Sequence, residues 1–229
     1  MLGTAVNALA IIMGSLLGYF LIPPLSERIQ KTVLNGIALG IILIGISKAL
    51  KSEEYLIIIV SLAFGGLLGE SLKIQQGIET LGEKLQKRAD SRYGDVATGF
   101  ITATLVFMIG AMAVVGAIDS GLNNDHSILF AKALIDGIVA IVFASTMGIG
   151  VMLSAIPVFI YQGSIALLAG FFAALLSAEI LAVMEAIGGL LIALIGLNML
   201  GVTKARVANL LPAMFIGPVI VMGIQLWFR

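Results

Sequence analysis

The stretch AKALIDGIVA, residues 131–140, decides how this chain is read. It sets Lys132 and Asp136 four residues apart, and a long apolar run follows. The surrounding sequence has the same texture. Of 229 residues, 60% are hydrophobic and 11% are charged, and the mean hydropathy is +1.13. Soluble domains carry about 25% charged residues, and a water-soluble fold of this length could not hide so much apolar surface. The chain is therefore read as an all-α integral membrane protein whose first partner is the lipid bilayer. The formal net charge is zero, which gives no footing for nucleic acid. There is no cysteine, hence no disulfide and no thiolate metal site; neither a metal nor a cofactor is expected. The N-terminal MLGTAVNALA lacks a positive segment, so the first apolar stretch is expected to stay as a spanning helix rather than be cleaved.

A helix needs about 20 apolar residues to cross the hydrocarbon core. Eight stretches qualify, at roughly 4–22, 34–50, 55–73, 97–118, 128–153, 157–176, 183–200 and 206–227, which makes residues 1–229 one transmembrane domain. Pro23 and Pro24 end the first, and Glu179 and Glu185 mark the turn between the sixth and seventh. STMGIGVMLSAIP (145–157) is small, glycine-rich and closed by a proline, so a break near 145–155 is as good a reading as a clean helix end. An outside N-terminus puts Arg28, Lys31, Lys73, Lys84, Lys87, Arg88, Arg92, Lys204 and Arg206 in the cytoplasm, and leaves Lys48, Lys51, Lys132 and Arg229 outside. The basic excess on one side supports eight crossings with both termini outside. In segment 74–95, Ile74, Ile78, Leu81 and Leu85 share one helical face among charged residues. It is read as an amphipathic helix lying on the inner membrane surface, a connector or a partner surface.

The chain resembles itself. GSLLGYF (14–20) matches ALLAGFF (166–172), and IILIGIS (41–47) matches IALIGLN (192–198), at offsets of 152 and 151. The small pairs Gly14/Gly18, Gly36/Gly40 and Gly65/Gly69 in helices one to three have counterparts in Ala166/Gly170, Gly189/Ala193 and Ala213/Gly217 in helices six to eight. Small residues four apart let helix backbones approach closely. Helix six lies five crossings after helix one, so the two copies would enter the membrane from opposite sides. This is an inverted repeat of helices 1–3 (about 4–73) and 6–8 (about 157–227) around helices 4 and 5 (about 97–153), a plan used by transporters and also by channels.

A charge at bilayer depth costs roughly 2.5–3.5 kcal/mol on insertion scales, so each needs an account. Lys132 is read as snorkelling to the outer surface. Asp136 is either bonded to Lys132 or a neighbouring helix, or set on a solute or ion path. Glu70 near the inner end of helix three reads as interfacial, and with Lys132 and Ser47 it is also a candidate for such a path. Among the amides Asn7, Asn35, Gln162, Asn198 and Asn209, the candidates for such a path are Gln162 and Asn198, the latter because its repeat mate Ser47 is also polar. Ser145, Thr146, Ser154 and Ser164 join them, gathered with Gln162 in the glycine-rich run 143–164. Small-residue packing is the plainer account of that run. Pro212 and Pro218 are expected to bend the last helix. His126 is the single histidine and lies in a loop, where Asp125 or Ser127 is placed to cap helix five. No HExxH, P-loop or nucleophile triad is present, so an enzyme is not expected.

VNALAIIMGSLLGYFL, VFMIGAMAVVGAI, DHSILFAKALIDGIVAIVFASTMGIGV, SAIPVFIYQGSIALLAG and LIGLNMLGVTKARVANLLPA resemble, in that order, the family called domain of unknown function five-five-four. The resemblance implies a polytopic inner-membrane protein of a prokaryote and assigns no substrate. From the residues, the leading expectation is a small secondary transporter of a solute or ion, a homodimer. A channel, or a structural or signalling membrane protein, are the alternatives.

Overall fold

The computed structural model describes residues 1–21, 27–88, 95–172 and 177–227. Pro23, Pro24, Arg92 and Arg229 lie outside them. The described residues form helices and turns and no strand. In chain order the helices are α1 (Leu2–Leu21), α2 (Glu27–Ala49), α3 (Tyr55–Ser71), α4 (Ile74–Arg88), α5 (Val96–Met108), α6 (Ala111–Leu122), α7 (Ser127–Met147), α8 (Gly150–Leu153), α9 (Ala155–Leu167), α10 (Ala169–Phe172), α11 (Ala178–Met199) and α12 (Ala213–Trp227), with a 3-10 turn at Val207–Leu210. Six stretches are long and apolar enough to cross a membrane, and two bent helix pairs, α3 with α4 and α5 with α6, raise the number to as many as eight. An apolar helix of this length has nowhere else to put its surface, and its backbone groups are satisfied within the helix, as lipid requires.

Three boundaries differ from those expected. The fifth span ends at Met147, not near 153. Gly148 follows at φ 83°, a left-handed conformation that glycine adopts without a Cβ penalty, and the sixth span starts at Gly150. The fourth span is not continuous over 97–118. It breaks between Met108 and Ala111, at Gly110 with φ 128°, and its flanks are bent by 62°. Ile109 and Gly110 are buried, so the backbone groups freed by the break have protein cover. The seventh span starts at Ala178, where Ser177 Oγ caps the helix by accepting from the Ile180 N–H. Glu179 therefore sits in the first turn of α11, and Glu185 lies inside the helix rather than in a turn. Pro212 falls at the join ahead of α12, and Pro218 lies within it.

The contacts divide the chain into two units. Unit 1 comprises residues 1–33, 78–108 and 112–173, and unit 2 comprises 34–77, 109–111 and 174–229. In unit 1, α1 lies on α7 in the same direction. Gly14 sits against the Gly137 carbonyl and Gly18 against that of Ile141, so the glycines of α1 let its backbone reach that of α7. Parallel α1 and α7 fit an odd number of crossings between them, the number reached when α2, α3 and the bent α5–α6 pair each count as one span.

In unit 2, two helix pairs run antiparallel, and contacts of Gly45 and Gly69 have counterparts with the helices exchanged. A methyl added at Gly45 would lie 2.5 Å from the Ala193 amide nitrogen and 2.6 Å from the Gly189 carbonyl oxygen. One added at Gly196 would lie 3.2 Å from the Ile42 nitrogen and 2.8 Å from the Ala38 oxygen. Residues 38 and 189, 42 and 193, and 45 and 196 are each 151 apart. Likewise Gly65 of α3 faces Ala213 of α12, Gly69 meets the Asn209 carbonyl, and Gly217 faces Ser61 Oγ at 3.3 Å. Residues 61 and 209, 65 and 213, and 69 and 217 are each 148 apart.

Candidate functional site

The polar groups that a bilayer makes expensive gather in unit 1. Asp136 lies near the middle of the 21-residue α7. Lys132 does not snorkel. One helical turn away, it folds onto the carboxylate, with Nζ 2.9 Å from Oδ1 and 2.8 Å from Oδ2. Both residues are buried, at 6% and 4% exposure. Lys before Asp is the weaker order for such a pair in water, but here both groups are buried. Truncating one partner of a buried pair costs about 3–5 kcal/mol, because the other charge is left uncompensated.

Two further helices bring amides to the pair. Asn7 of α1 donates from Nδ2 to Asp136 Oδ2 at 3.0 Å and to Gln162 Oε1 of α9 at 3.2 Å. Asn7 and Gln162 are both fully buried. The cluster is not closed. Asn7 Oδ1, an acceptor, and Gln162 Nε2, a donor, have no hydrogen-bond partner, and neither does Thr4 Oγ1 one turn before Asn7 on α1. A buried polar atom without a partner costs about 1–3 kcal/mol, and such atoms are rare enough in folded proteins that each needs a reason. Ser15 Oγ and Thr104 Oγ1 complete the orphaned atoms among the described residues. Two turns beyond Asp136 on α7, Phe143 stacks on Phe107 of α5 with ring centroids 6.1 Å apart.

The family model described as "Protein of unknown function (DUF554)" matches residues 2–222. The chain belongs to this family. It is similar to the "Uncharacterized membrane protein YdfK" of Bacillus subtilis (strain 168), 32% identical over 98% of this chain and 97% of the relative. It is also similar to the "Uncharacterized protein YqgA" of Escherichia coli (strain K12), 28% identical over 99% of each. No solved structure matches it. The membrane character expected from composition agrees with the first relative's name and with the long apolar helices of this DUF554 chain.

Of the ten residues singled out from sequence, the structure brings together Lys132, Asp136 and Gln162. Asn7, noted only as one amide among several, is the residue that joins them. Its signal was available, an amide in an otherwise apolar span, but its partners lie 129 and 155 residues away. The four hydroxyls bond back to their own helices. Ser145 donates to the Val142 carbonyl at 2.8 Å, Ser154 to Val151 at 2.6 Å and Ser164 to Ile160 at 2.6 Å, and Thr146 reaches Val142 and Phe143. In unit 2, Asn198 clamps a loop. Its amide donates to the Ala205 carbonyl at 2.8 Å and accepts from the Ala205 N–H at 3.0 Å. Ser47 is exposed on α2. Glu70 is exposed and paired with Arg206, and it also accepts from Asn209. Asn209 Oδ1 accepts the Gln75 N–H at 2.7 Å, and Gln75 Oε1 accepts the Ala208 N–H at 3.0 Å, which ties the start of α4 to the 3-10 turn. Glu185, inside α11, is balanced by Lys48 at 3.2 Å and Lys51 at 2.9 Å. In the loop before α7, Asp125 Oδ1 accepts the Ser127 N–H at 2.9 Å, which holds its carboxyl below the usual carboxylate range. His126 Nδ1 lies 2.9 Å from Ser120 Oγ.

Proposed function

We propose that this DUF554 member is a secondary transporter, not an enzyme, and that it moves a small solute or ion through the Lys132–Asp136–Asn7–Gln162 cluster. The observation that carries this is the pair of unspent amide atoms, Asn7 Oδ1 and Gln162 Nε2, beside a buried ion pair at mid-span. A cluster kept only for packing gains nothing from open hydrogen-bonding groups, and apolar side chains of the same volume would serve as well or better. A solute in transit needs a few convergent polar groups in an apolar surround, at the depth where transporters bind.

The helix plan supports the same reading. An inverted repeat of the first three and last three spans accounts for the contacts in unit 2 that recur with the helices exchanged, at offsets close to those of the sequence match. A two-fold axis in the membrane plane relates such copies, and alternating access rocks elements built on that symmetry. The basic residues favour termini on the outer face of a prokaryotic inner membrane.

Proteoliposomes loaded with the native chain or with Asp136→Asn test the proposal against a panel of cations, amino acids and small organic anions, with and without a proton gradient. Net uptake of one class, lost in a variant that still folds, supports it. A structural or signalling bundle is the second reading, favoured by the fact that Lys132 engages both carboxylate oxygens. No uptake of any probe, with Asp136→Asn unfolding earlier than the native chain, would decide for that bundle.

A further inference from the structure

We propose that the cluster carries a small monoanion of the carboxylate class together with one proton, with Asp136 as the seat of the proton and Lys132 as the seat of the anion. This rests on the transport reading above and names its substrate class. It follows from charge balance and from the hydrogen bonds left open.

The unloaded cluster is neutral, with Lys132 and Asp136 closed on each other. If an anion arrived while Asp136 stayed ionised, a net negative charge would be left in the middle of the bilayer. A proton taken from the aqueous phase onto Asp136 removes it. The carboxylate becomes a carboxylic acid, its hold on the Lys132 ammonium is lost, and the anion takes its place against Lys132. The loaded site is then neutral, as the unloaded one is, and either form can change sides without moving net charge across the membrane.

The open hydrogen bonds favour an anion over a cation. Lys132 offers three N–H groups, and Asn7 and Gln162 offer two each. Gln162 Nε2 is already unspent, and Lys132 becomes so once Asp136 is protonated. Against these donors the two amides leave one unspent acceptor, Asn7 Oδ1. A carboxylate uses several donors at once, whereas for a cation the Asp136 carboxylate is already held by Lys132, which leaves the Asn7 amide oxygen and the Thr4 hydroxyl. The titratable surroundings of Asp136 are sparse. On its own helix it faces Lys132. Of the elements packed against α7, α1 carries Tyr19, twelve residues beyond Asn7, and α5 and α8 carry no titratable side chain. On α9 Tyr161 precedes Gln162, and His126, at the start of α7, is engaged with Ser120.

The test uses the full chain in proteoliposomes with an internal pH dye, offered pyruvate and gluconate as monoanions, alanine as a zwitterion and rubidium as a cation. The expected result is monoanion uptake with acidification of the interior, one proton per anion, at a rate that an imposed membrane potential does not change. Asp136→Asn fixes the site in its neutral-acid form. It should keep tracer exchange of the monoanion between the two sides, now independent of pH, and lose proton-driven net uptake. Lys132→Gln should lose both. The double variant Lys132→Gln/Asp136→Asn, which leaves no unpaired charge, should fold and be silent in both assays. Uptake of alanine or rubidium without monoanion uptake, monoanion uptake that follows the membrane potential, or a folded Asp136→Asn with no exchange would each overturn this inference while leaving the transporter standing. No uptake of any probe would overturn both.

Discussion

Unit 1 and unit 2 treat their polar groups in opposite ways. Among the described residues, all five buried side-chain atoms without a hydrogen-bond partner belong to unit 1, on Thr4, Asn7, Ser15, Thr104 and Gln162. Unit 2 is no less polar. It sets Glu185 between Lys48 and Lys51, Glu70 against Arg206 and Asn209, and Asn198 across a loop. Glu70 and Arg206 are exposed, and Glu185, inside α11, is matched by two lysines. Gly45 and Gly196 meet the facing backbone in contacts that recur with the helices exchanged. Unit 2 therefore has the character of a closed scaffold. Unit 1 has buried a charge pair at mid-span and left hydrogen bonds open around it, an arrangement that stability alone does not select.

The largest expected effect tests the charge pair. Asp136→Leu strands Lys132 in an apolar interior and should lower stability by about 3–5 kcal/mol, whereas Lys132→Met/Asp136→Leu should unfold close to the native chain or above it. Thermal unfolding in detergent, followed by circular dichroism, reads both. If the single and double variants unfolded together, the pair would not be a coupled unit, and the contrast with unit 2 would lose its main support.

A middle-sized effect tests the scaffold. Gly45→Val and Gly196→Val each push a side chain into the facing backbone, of α11 and α2 respectively, and overpacking of this kind costs about 1–3 kcal/mol. Because the two positions are counterparts in the contact pattern, the two losses should be similar. A large loss at one with none at the other would mean that the match at offset 151 is a coincidence of glycine-rich sequence. Neither variant should alter the proton dependence of uptake, since neither residue belongs to the cluster.

Much of this was legible in the sequence, for reasons that also mark the limit. Six to eight spans were legible because a long apolar run has one outcome in a bilayer, the range turning on whether each bent helix pair is one span. Lys132, Asp136 and Gln162 stood out because a charge or amide in such a run is costly. The break at Gly148 was flagged by its small-residue surroundings, but the one at Gly110 was not, since FMIGAMAVV reads as continuous apolar helix and Gly110 is one of 27 glycines. Asn198 looked like a lining residue through its repeat mate, yet it clamps Ala205, seven residues on, a role set by loop geometry that composition does not encode. Asn7 could not be matched to Asp136 because nothing local records a partner 129 residues away.

The smallest effect has an informative sign. Hydroxyls in spans commonly bond back to their own helix, as Ser61 does to Ile57 at 2.6 Å. Thr104 keeps the same residue class and the same apolar setting but has no partner. Thr104→Val retains the shape and removes only the unspent hydroxyl, so stability should hold or rise by up to about 1 kcal/mol. Ser61→Ala gives up a made bond and should lose about 0.5–1.5 kcal/mol. Opposite signs for two buried hydroxyl deletions, one in each unit, would show that unit 1 carries polar groups at a cost to its own stability. If Thr104→Val also lowered stability, its hydroxyl would have a partner in the membrane-embedded protein, such as a bound water, and the open hydrogen bonds of unit 1 would be fewer than five.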